Sequence, residues 1–229
     1  MSTNALQEAS ANALTPGAES AVQQFLASLA QAKHEAWPYD YWTLEQAVSH
    51  SVNTALKQLP FEAPEGMQFG GQRDYGQNNG RRIYFNPESQ ARLAVCRDLA
   101  QAFADARVLN ALKQLTGRDL STGQLRIEYC QDKDGFWLEP HVDISVKLFT
   151  MSIYLSDEPE LAHAGTDIYD DTPDHNRVAT APFGPGTGMI FIPAHNTWHG
   201  FDKREIKGIR RSLIVNYVTS DWRAKEELA

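Results

Sequence analysis

The sequence predicts a mainly β protein with helices at its N-terminal end, and three observations support this fold class. Apolar residues recur at helical spacing through the first half of the chain. After Gly117 the pattern changes to short β-like runs that are separated by Gly, Pro, Asp and Asn. The 229 residues are 42% hydrophobic, which is enough to build one substantial core. We therefore expect a sandwich or jelly roll with helices packed on its outer face.

The first half divides into a short tail and a mainly helical region. Residues 1–18 are rich in small polar residues and in Ala, so we expect a disordered tail. A single domain is expected over 19–229, with a helical support region over 19–117. Its helix signals are the apolar spacing from Val22 to Leu29, a capping box of Thr43 with Gln46 for a helix through Leu59, and Asn86–Pro87 for a helical stretch to Gly117.

The second half, residues 118–222, carries the predicted β core. The excursion 157–185 within it is rich in Asp and Pro, and long loops of this kind often serve as lids or binding loops. The β-like runs are 124–130, 144–155, 166–169, 187–192 and 209–218.

Charge and cysteine content exclude several classes of protein. The 21 basic and 29 acidic residues offer no positive surface for a phosphate backbone, so nucleic acid is not an expected partner. Only Cys96 and Cys130 are present, which argues against a disulfide scaffold. No basic leader and no apolar run of about 18 residues is found, so we expect a cytoplasmic protein without a membrane segment.

The candidate metal ligands are His141 and Asp143 in the triplet His-Val-Asp, together with His199. Two histidines and one carboxylate hold Fe(II) on one face and leave positions open for a 2-oxo acid and dioxygen. His141 and Asp143 are two residues apart, so both side chains would leave one face of an extended strand. Two alternatives stay open: a zinc hydrolase with the same three ligands, and a non-catalytic jelly-roll module that binds a ligand or partner protein.

Arg210 follows His199 by eleven residues and is the candidate for binding the far carboxylate of the 2-oxo acid. A guanidinium can make a bidentate, charge-assisted contact with a carboxylate. Strand alternation places Ser212 on the same face as Arg210, where its hydroxyl could donate a further hydrogen bond, and places Arg211 on the opposite face. Arg210 is therefore favoured over Arg211.

Residues 120–222 resemble the 2-oxoglutarate and Fe(II)-dependent oxygenases, in the branch similar to prolyl 4-hydroxylases. The resemblance rests on His141-Val142-Asp143, on 188–192 leading into Trp198-His199-Gly200, and on 210–217. It implies a double-stranded β-helix, a jelly roll with iron near its mouth. It also implies that Tyr129 and Tyr154 contact 2-oxoglutarate.

The resemblance implies a dioxygenase that oxidatively decarboxylates 2-oxoglutarate to succinate while it hydroxylates a small molecule or a peptide side chain. Asp143 is present, whereas halogenating relatives lack this ligand, so hydroxylation is favoured. Many prolyl hydroxylases have Lys where Arg210 stands, so a prolyl substrate does not follow. Substrate contacts are expected within 70–75, 81–85 and 135–139, and a homodimer is compatible with the sequence.

Overall fold

The computed structural model describes residues 13–66, 69–72 and 82–229, so most of the predicted tail and the segment 73–81 lie outside the described residues. Within these ranges, the helices are α1 Pro16–Leu29, α2 His50–Lys57, α3 Pro87–Arg92, α4 Ala94–Ala104 and α5 Ala106–Thr116. The strands there are β1 Lys33–Glu35, β2 Tyr41–Leu44, β3 Ile83–Tyr84, β4 Gln124–Asp132, β5 Leu138–His141, β6 Lys147–Tyr154, β7 Asp167–Tyr169, β8 Arg177–Thr180, β9 Gly188–Phe191, β10 His199–Phe201 and β11 Arg210–Val218.

Two antiparallel sheets form the β core, as the predicted fold class requires. The larger sheet has the order β1-β2-β9-β6-β11-β4-β3, and the smaller sheet has the order β5-β10-β7-β8. Tyr154 and Phe191 of the larger sheet pack with Ile168 of the smaller one in a shared apolar cluster. The inner faces of the two sheets therefore meet in the middle of a jelly roll.

The helices cover the outer face of the larger sheet. Phe25 of α1 and Phe103 of α4 stack edge to face, with ring centroids 5.1 Å apart, in the same core as Val215 of β11. The hydroxyl of Tyr217 donates to the backbone oxygen of Phe103 at 2.6 Å, which fixes α4 on the sheet. The side of β11 that faces away from these helices is then free to line the inside of the jelly roll.

Several predicted boundaries were wrong, because strands shorter than five residues carry little periodic signal. The capping box of Thr43 and Gln46 does not exist, since Thr43 lies in β2, and the following helix is capped instead by the Ser49 side chain. Helix α1 begins at Pro16 with Thr15 as its N-cap, inside the region expected to be a tail. Strands β1, β2 and β3 of the first half belong to the larger sheet, so the support region is not wholly helical.

The excursion 157–185 is more ordered than the sequence suggested. It contains a short 3₁₀ helix, Pro159–Leu161, and the strands β7 and β8 of the smaller sheet. Strand β7 pairs with β10, which carries His199. Within the described part of the chain, no helix is both long enough and apolar enough to cross a lipid bilayer.

Candidate metal and co-substrate site

His141 and His199 come together because β5 and β10 are neighbours in the smaller sheet. The two residues are cross-strand partners, and their ring centroids are 4.4 Å apart. Gly200 permits this approach, since a Cβ atom there would lie 2.8 Å from the backbone oxygen of Leu138. The strand pairing therefore brings two imidazoles to one point.

Backbone contacts orient both imidazoles in the same way. Nδ1 of His141 is 2.8 Å from the oxygen of Glu139, and Nδ1 of His199 is 2.9 Å from the oxygen of Thr197. A carbonyl only accepts, so in the neutral form of each ring Nδ1 carries the proton and Nε2 carries the lone pair that can bind a metal. Burial lowers the pKa of His199 to about 4, so this ring is neutral near pH 7, as a metal ligand must be.

Asp143 is held by hydrogen bonds and does not lie on a strand. It follows the end of β5 in the loop before β6, so the prediction that His141 and Asp143 share one strand face is wrong. Lys147 Nζ lies 2.5 Å from Oδ1, and Thr150 Oγ1 donates to Oδ2 at 2.6 Å. Burial alone would raise the pKa of Asp143, but the positive charge of Lys147 and these hydrogen bonds hold it well below its usual range.

The three side chains form a set that fits a divalent transition metal. One potential ligand atom from each of His141, Asp143 and His199 lies within 4.8 Å of the others. An ionised carboxylate has about four lone-pair sites, so the hydrogen bonds from Lys147 and Thr150 leave capacity for a metal. Two neutral imidazoles and one carboxylate match the facial arrangement that non-heme Fe(II) uses.

Arg210 lines the same cavity as the three candidate ligands. This cavity has a volume of about 80 Å³, and its lining includes the three candidate ligands, Arg210 and Ser212. The guanidinium carbon of Arg210 lies 4.7 Å from the ring centroid of Phe201, which fixes its plane. The structure thus brings five predicted site residues to one cavity.

A buried carboxylate already engages part of the Arg210 guanidinium. Nη1 donates to Oδ2 of Asp132 at 2.6 Å, and Nε donates to the backbone oxygen of Ala164 at 2.6 Å. Within the described ranges, these two hydrogen bonds use Nε and Nη1, so Nη2 is the guanidinium nitrogen that can bind a ligand. A bidentate contact through Nη1 and Nη2, as the sequence suggested, would require the pair with Asp132 to open.

Arg211 lies on the opposite side of the sheet, as strand alternation predicts. It lines a surface groove with Phe61 and Gln131, on the helix side of β4 and β11. Tyr129 shares this side, because it packs in the helix-facing core with Phe61 and Leu213. The placement of Tyr129 at the co-substrate is therefore a wrong prediction.

Tyr154 lies behind the cavity wall. Its hydroxyl donates to Oγ1 of Thr166 at 2.8 Å and accepts from the Thr166 amide at 3.0 Å. Burial raises its pKa, so the hydroxyl stays protonated. Tyr154 also stacks loosely on Arg210, whose guanidinium carbon lies 5.7 Å from the ring centroid. The structure therefore places Tyr154 beside the co-substrate end, with its hydroxyl committed to Thr166.

Three polar residues of the site were missed by sequence reasoning. Lys147 and Thr150 bind Asp143, and Asp132 binds Arg210. The positions of Lys147 and Thr150 on the strand after the triplet are a usable signal, because they lie four and seven residues beyond Asp143. Asp132 gives no such signal, since its proximity depends on how β4 pairs with β11.

The predicted substrate contacts are only partly described. Phe136 lines the cavity, as expected, whereas Trp137 packs against Gly71 and beneath Lys203 outside it. Part of 70–75 and Arg81 lie outside the described residues.

No protein-family model matches the sequence, and no curated protein sequence matches it significantly. Solved structures do match the fold. A prolyl-4-hydroxylase from Pseudomonas putida is 12% identical, with a TM-score of 0.53 over 86% of this chain and 98% of its own. A prolyl hydroxylase in complex with a hypoxia inducible factor peptide fragment, from Trichoplax adhaerens, is 13% identical, with a TM-score of 0.53 over 98% and 96%.

A third similar structure is the non-heme alpha-ketoglutarate-dependent epimerase SnoN from nogalamycin biosynthesis. It is 15% identical, with a TM-score of 0.51 over 88% of this chain and 84% of its own. The chain therefore has the double-stranded β-helix fold of the 2-oxoglutarate and Fe(II)-dependent oxygenases, including those of the prolyl 4-hydroxylase branch. The predicted fold and the predicted resemblance are confirmed at this level.

Proposed function

We propose that this protein is an Fe(II)- and 2-oxoglutarate-dependent dioxygenase that hydroxylates a small molecule or a peptide side chain. One observation carries the proposal: three metal-type ligands and a buried arginine line one small cavity. His141, Asp143 and His199 would hold the metal, and Arg210 with Ser212 would bind the far carboxylate of 2-oxoglutarate. Once bound, Fe(II) and 2-oxoglutarate supply the oxidation with dioxygen, and 2-oxoglutarate leaves as succinate and carbon dioxide.

The charges around the cavity support a divalent cation together with a dianion. Asp143 pairs with Lys147, and Asp132 pairs with Arg210, so the net charge of these four described side chains is zero. A divalent metal would add two positive charges and a dianionic co-substrate would add two negative charges. The net charge would therefore stay at zero when both bind. Either one alone would leave two uncompensated charges in a buried space, which is costly.

The residues of the chain have separate tasks in this scheme. The carbonyls of Glu139 and Thr197 keep the two imidazoles in the metal-binding tautomer. Phe201 and Tyr154 hold the guanidinium of Arg210 in place for a carboxylate. Phe136, Phe191 and Phe201 give the cavity an apolar wall that keeps water away from the reacting atoms.

The substrate class is left broad because the fold is used by enzymes with different reactions. One similar structure is a prolyl hydroxylase bound to a peptide, and another is an epimerase. Site chemistry, not fold, decides the reaction. We also propose that 19–229 acts as a single domain in the cytoplasm, since strands from both halves share one sheet and neither cysteine is in a disulfide.

The test is succinate formation from 2-oxoglutarate with Fe(II) and oxygen, without added substrate, in wild type, Asp143→Ala and Arg210→Ala. We expect slow uncoupled turnover that both substitutions remove. Turnover that persists unchanged in Asp143→Ala would contradict the proposal. Zinc in protein purified without added metal, together with ester hydrolysis, would support the hydrolase alternative instead.

A further inference from the structure

A chain of buried hydrogen bonds runs from the interior of the larger sheet to Asp143. Arg126, Asn216 and Thr150 are direct cross-strand neighbours on β4, β11 and β6. Arg126 Nη1 donates to Asn216 Oδ1 at 3.2 Å, and Asn216 Nδ2 donates to Thr150 Oγ1 at 2.9 Å. Thr150 Oγ1 then donates to Asp143 Oδ2 at 2.6 Å.

The donor and acceptor chemistry of these groups fixes the direction of the chain. A guanidinium can only donate, so the amide oxygen of Asn216 must face Arg126 and its NH₂ group must face Thr150. The Thr150 hydroxyl accepts that hydrogen bond and directs its own proton to Asp143. An ionised carboxylate only accepts, so each link of the chain favours the charged form of Asp143.

The far end of the chain is rigidly anchored. Arg126 is 2% exposed, and its other nitrogens bind Glu128 at 2.9 Å and Glu227 at 2.7 Å. The rings of Tyr84 and Trp222 lie 4.8 Å and 4.9 Å from its guanidinium carbon. Asn216 is fully buried and Thr150 is 4% exposed, so water does not compete for these hydrogen bonds.

From this arrangement we propose that Asn216 and Thr150 are positioning residues, which hold the carboxylate of Asp143 in the orientation that the metal requires. The inference deepens the proposed function and rests on it. Partners of this kind around a metal ligand typically change metal affinity by about 10- to 100-fold when they are removed. Thr150 also lines the cavity, whereas Asn216 acts on Asp143 only through Thr150.

The experiment is anaerobic titration of the metal-free full chain with Fe(II), in wild type and four variants. Thr150→Val keeps the shape and removes the hydroxyl, whereas Thr150→Ser keeps the hydroxyl. Asn216→Asp keeps the shape but replaces the NH₂ donor with an acceptor, so the Thr150 proton is drawn away from Asp143. Thr180→Val is the matched control, because it removes a hydroxyl that donates to Asp167 at 2.7 Å outside the metal site.

We expect Thr150→Val and Asn216→Asp to weaken Fe(II) binding by about 10-fold or more, with Thr150→Ser and Thr180→Val within about threefold of wild type. The loss in Asn216→Asp is diagnostic, because the added negative charge alone would strengthen cation binding. If both Thr150→Val and Asn216→Asp bind Fe(II) with the affinity of wild type, this inference is overturned and the proposed function stands. Absence of Fe(II) binding by wild type would overturn both.

If Thr150→Val fails to fold, Asn216→Asp and Thr150→Ser still decide the question. Thermal unfolding of each variant without metal separates a general loss of stability from a loss that is confined to metal binding. A purely structural role would lower the unfolding temperature and leave the Fe(II) affinity of the folded protein unchanged.

Discussion

Arg126 and Arg210 are two buried arginines on the inner face of the larger sheet, and their surroundings differ in one instructive way. Every nitrogen of Arg126 binds a protein group, through Glu227, Asn216, Tyr84 and Glu128. Arg210 lines the cavity, and its protein partners use Nε and Nη1 only within the described residues. A saturated guanidinium holds the structure in place, whereas a guanidinium with one nitrogen to spare can bind a ligand.

The largest effect that tests this comparison is on stability. Arg126→Met removes a buried ion pair from Glu128, and Arg210→Met removes one from Asp132, so each should lower the free energy of unfolding by about 3 to 5 kcal/mol. This corresponds to roughly 6 to 20 °C in Tm for a chain of this size, measured by calorimetry. Arg107→Met is the control, because its side chain is 44% exposed beside Glu19, and its loss should change the unfolding temperature far less.

The next effect separates the two arginines by co-substrate binding. Arg210→Met should weaken 2-oxoglutarate binding by about 10- to 100-fold, because it removes a charge-assisted hydrogen bond worth about 1.5 to 3 kcal/mol. Arg126→Met should change this affinity by less than about twofold. Both are measured by calorimetric titration at saturating metal, and equal losses in the two variants would break the comparison.

A smaller effect is expected from Ser212, which lines the cavity beside Arg210. Ser212→Ala removes the hydroxyl donor to the carboxylate, and a loss of about 1 kcal/mol would lower 2-oxoglutarate affinity about fivefold. Arg211→Met is the matched control on the opposite face and should leave that affinity unchanged. A larger loss in Arg211→Met than in Ser212→Ala would show that the two sheet faces are wrongly assigned.

The smallest effect distinguishes the two tyrosines. Tyr154→Phe removes a hydroxyl bound to Thr166 and should lower the free energy of unfolding by about 1 kcal/mol, with about a twofold change in 2-oxoglutarate affinity. Tyr129→Phe lies on the helix side of the sheet and should not change that affinity. Chemical unfolding and the same titration provide the measurements. A strong binding defect in Tyr129→Phe would contradict its placement.

The candidate metal ligands and Arg210 could be predicted because residue type and short-range spacing single them out as candidates. His141 and Asp143 are two residues apart, and Arg210 and Ser212 alternate on one strand. Spacing along the chain suggested that His199 lies near these residues. The structure shows how, because the pairing of β5 with β10 makes His141 and His199 cross-strand partners.

The supporting residues could not be predicted because they depend on which strands pair. Asp132 reaches Arg210, and Arg126 reaches Asn216, only in the register of β4 with β11. Strand β4 also departs from the usual pattern, in which charged side chains face solvent. Arg126 and Glu128 point to the inside of the jelly roll, while Ile127 packs toward the helices. Tyr129 was placed at the co-substrate by the family resemblance, whereas the structure puts it on the helix side of β4 with Ile127.

The most direct test of the account is whether the cavity takes a metal and 2-oxoglutarate together. We would titrate 2-oxoglutarate anaerobically into wild type with and without Fe(II), and into His141→Ala with Fe(II). The account predicts one molecule per chain, bound tightly only when wild type holds the metal, because either charge alone is uncompensated. Equal affinity with and without Fe(II), or binding in His141→Ala as tight as in wild type, would contradict it.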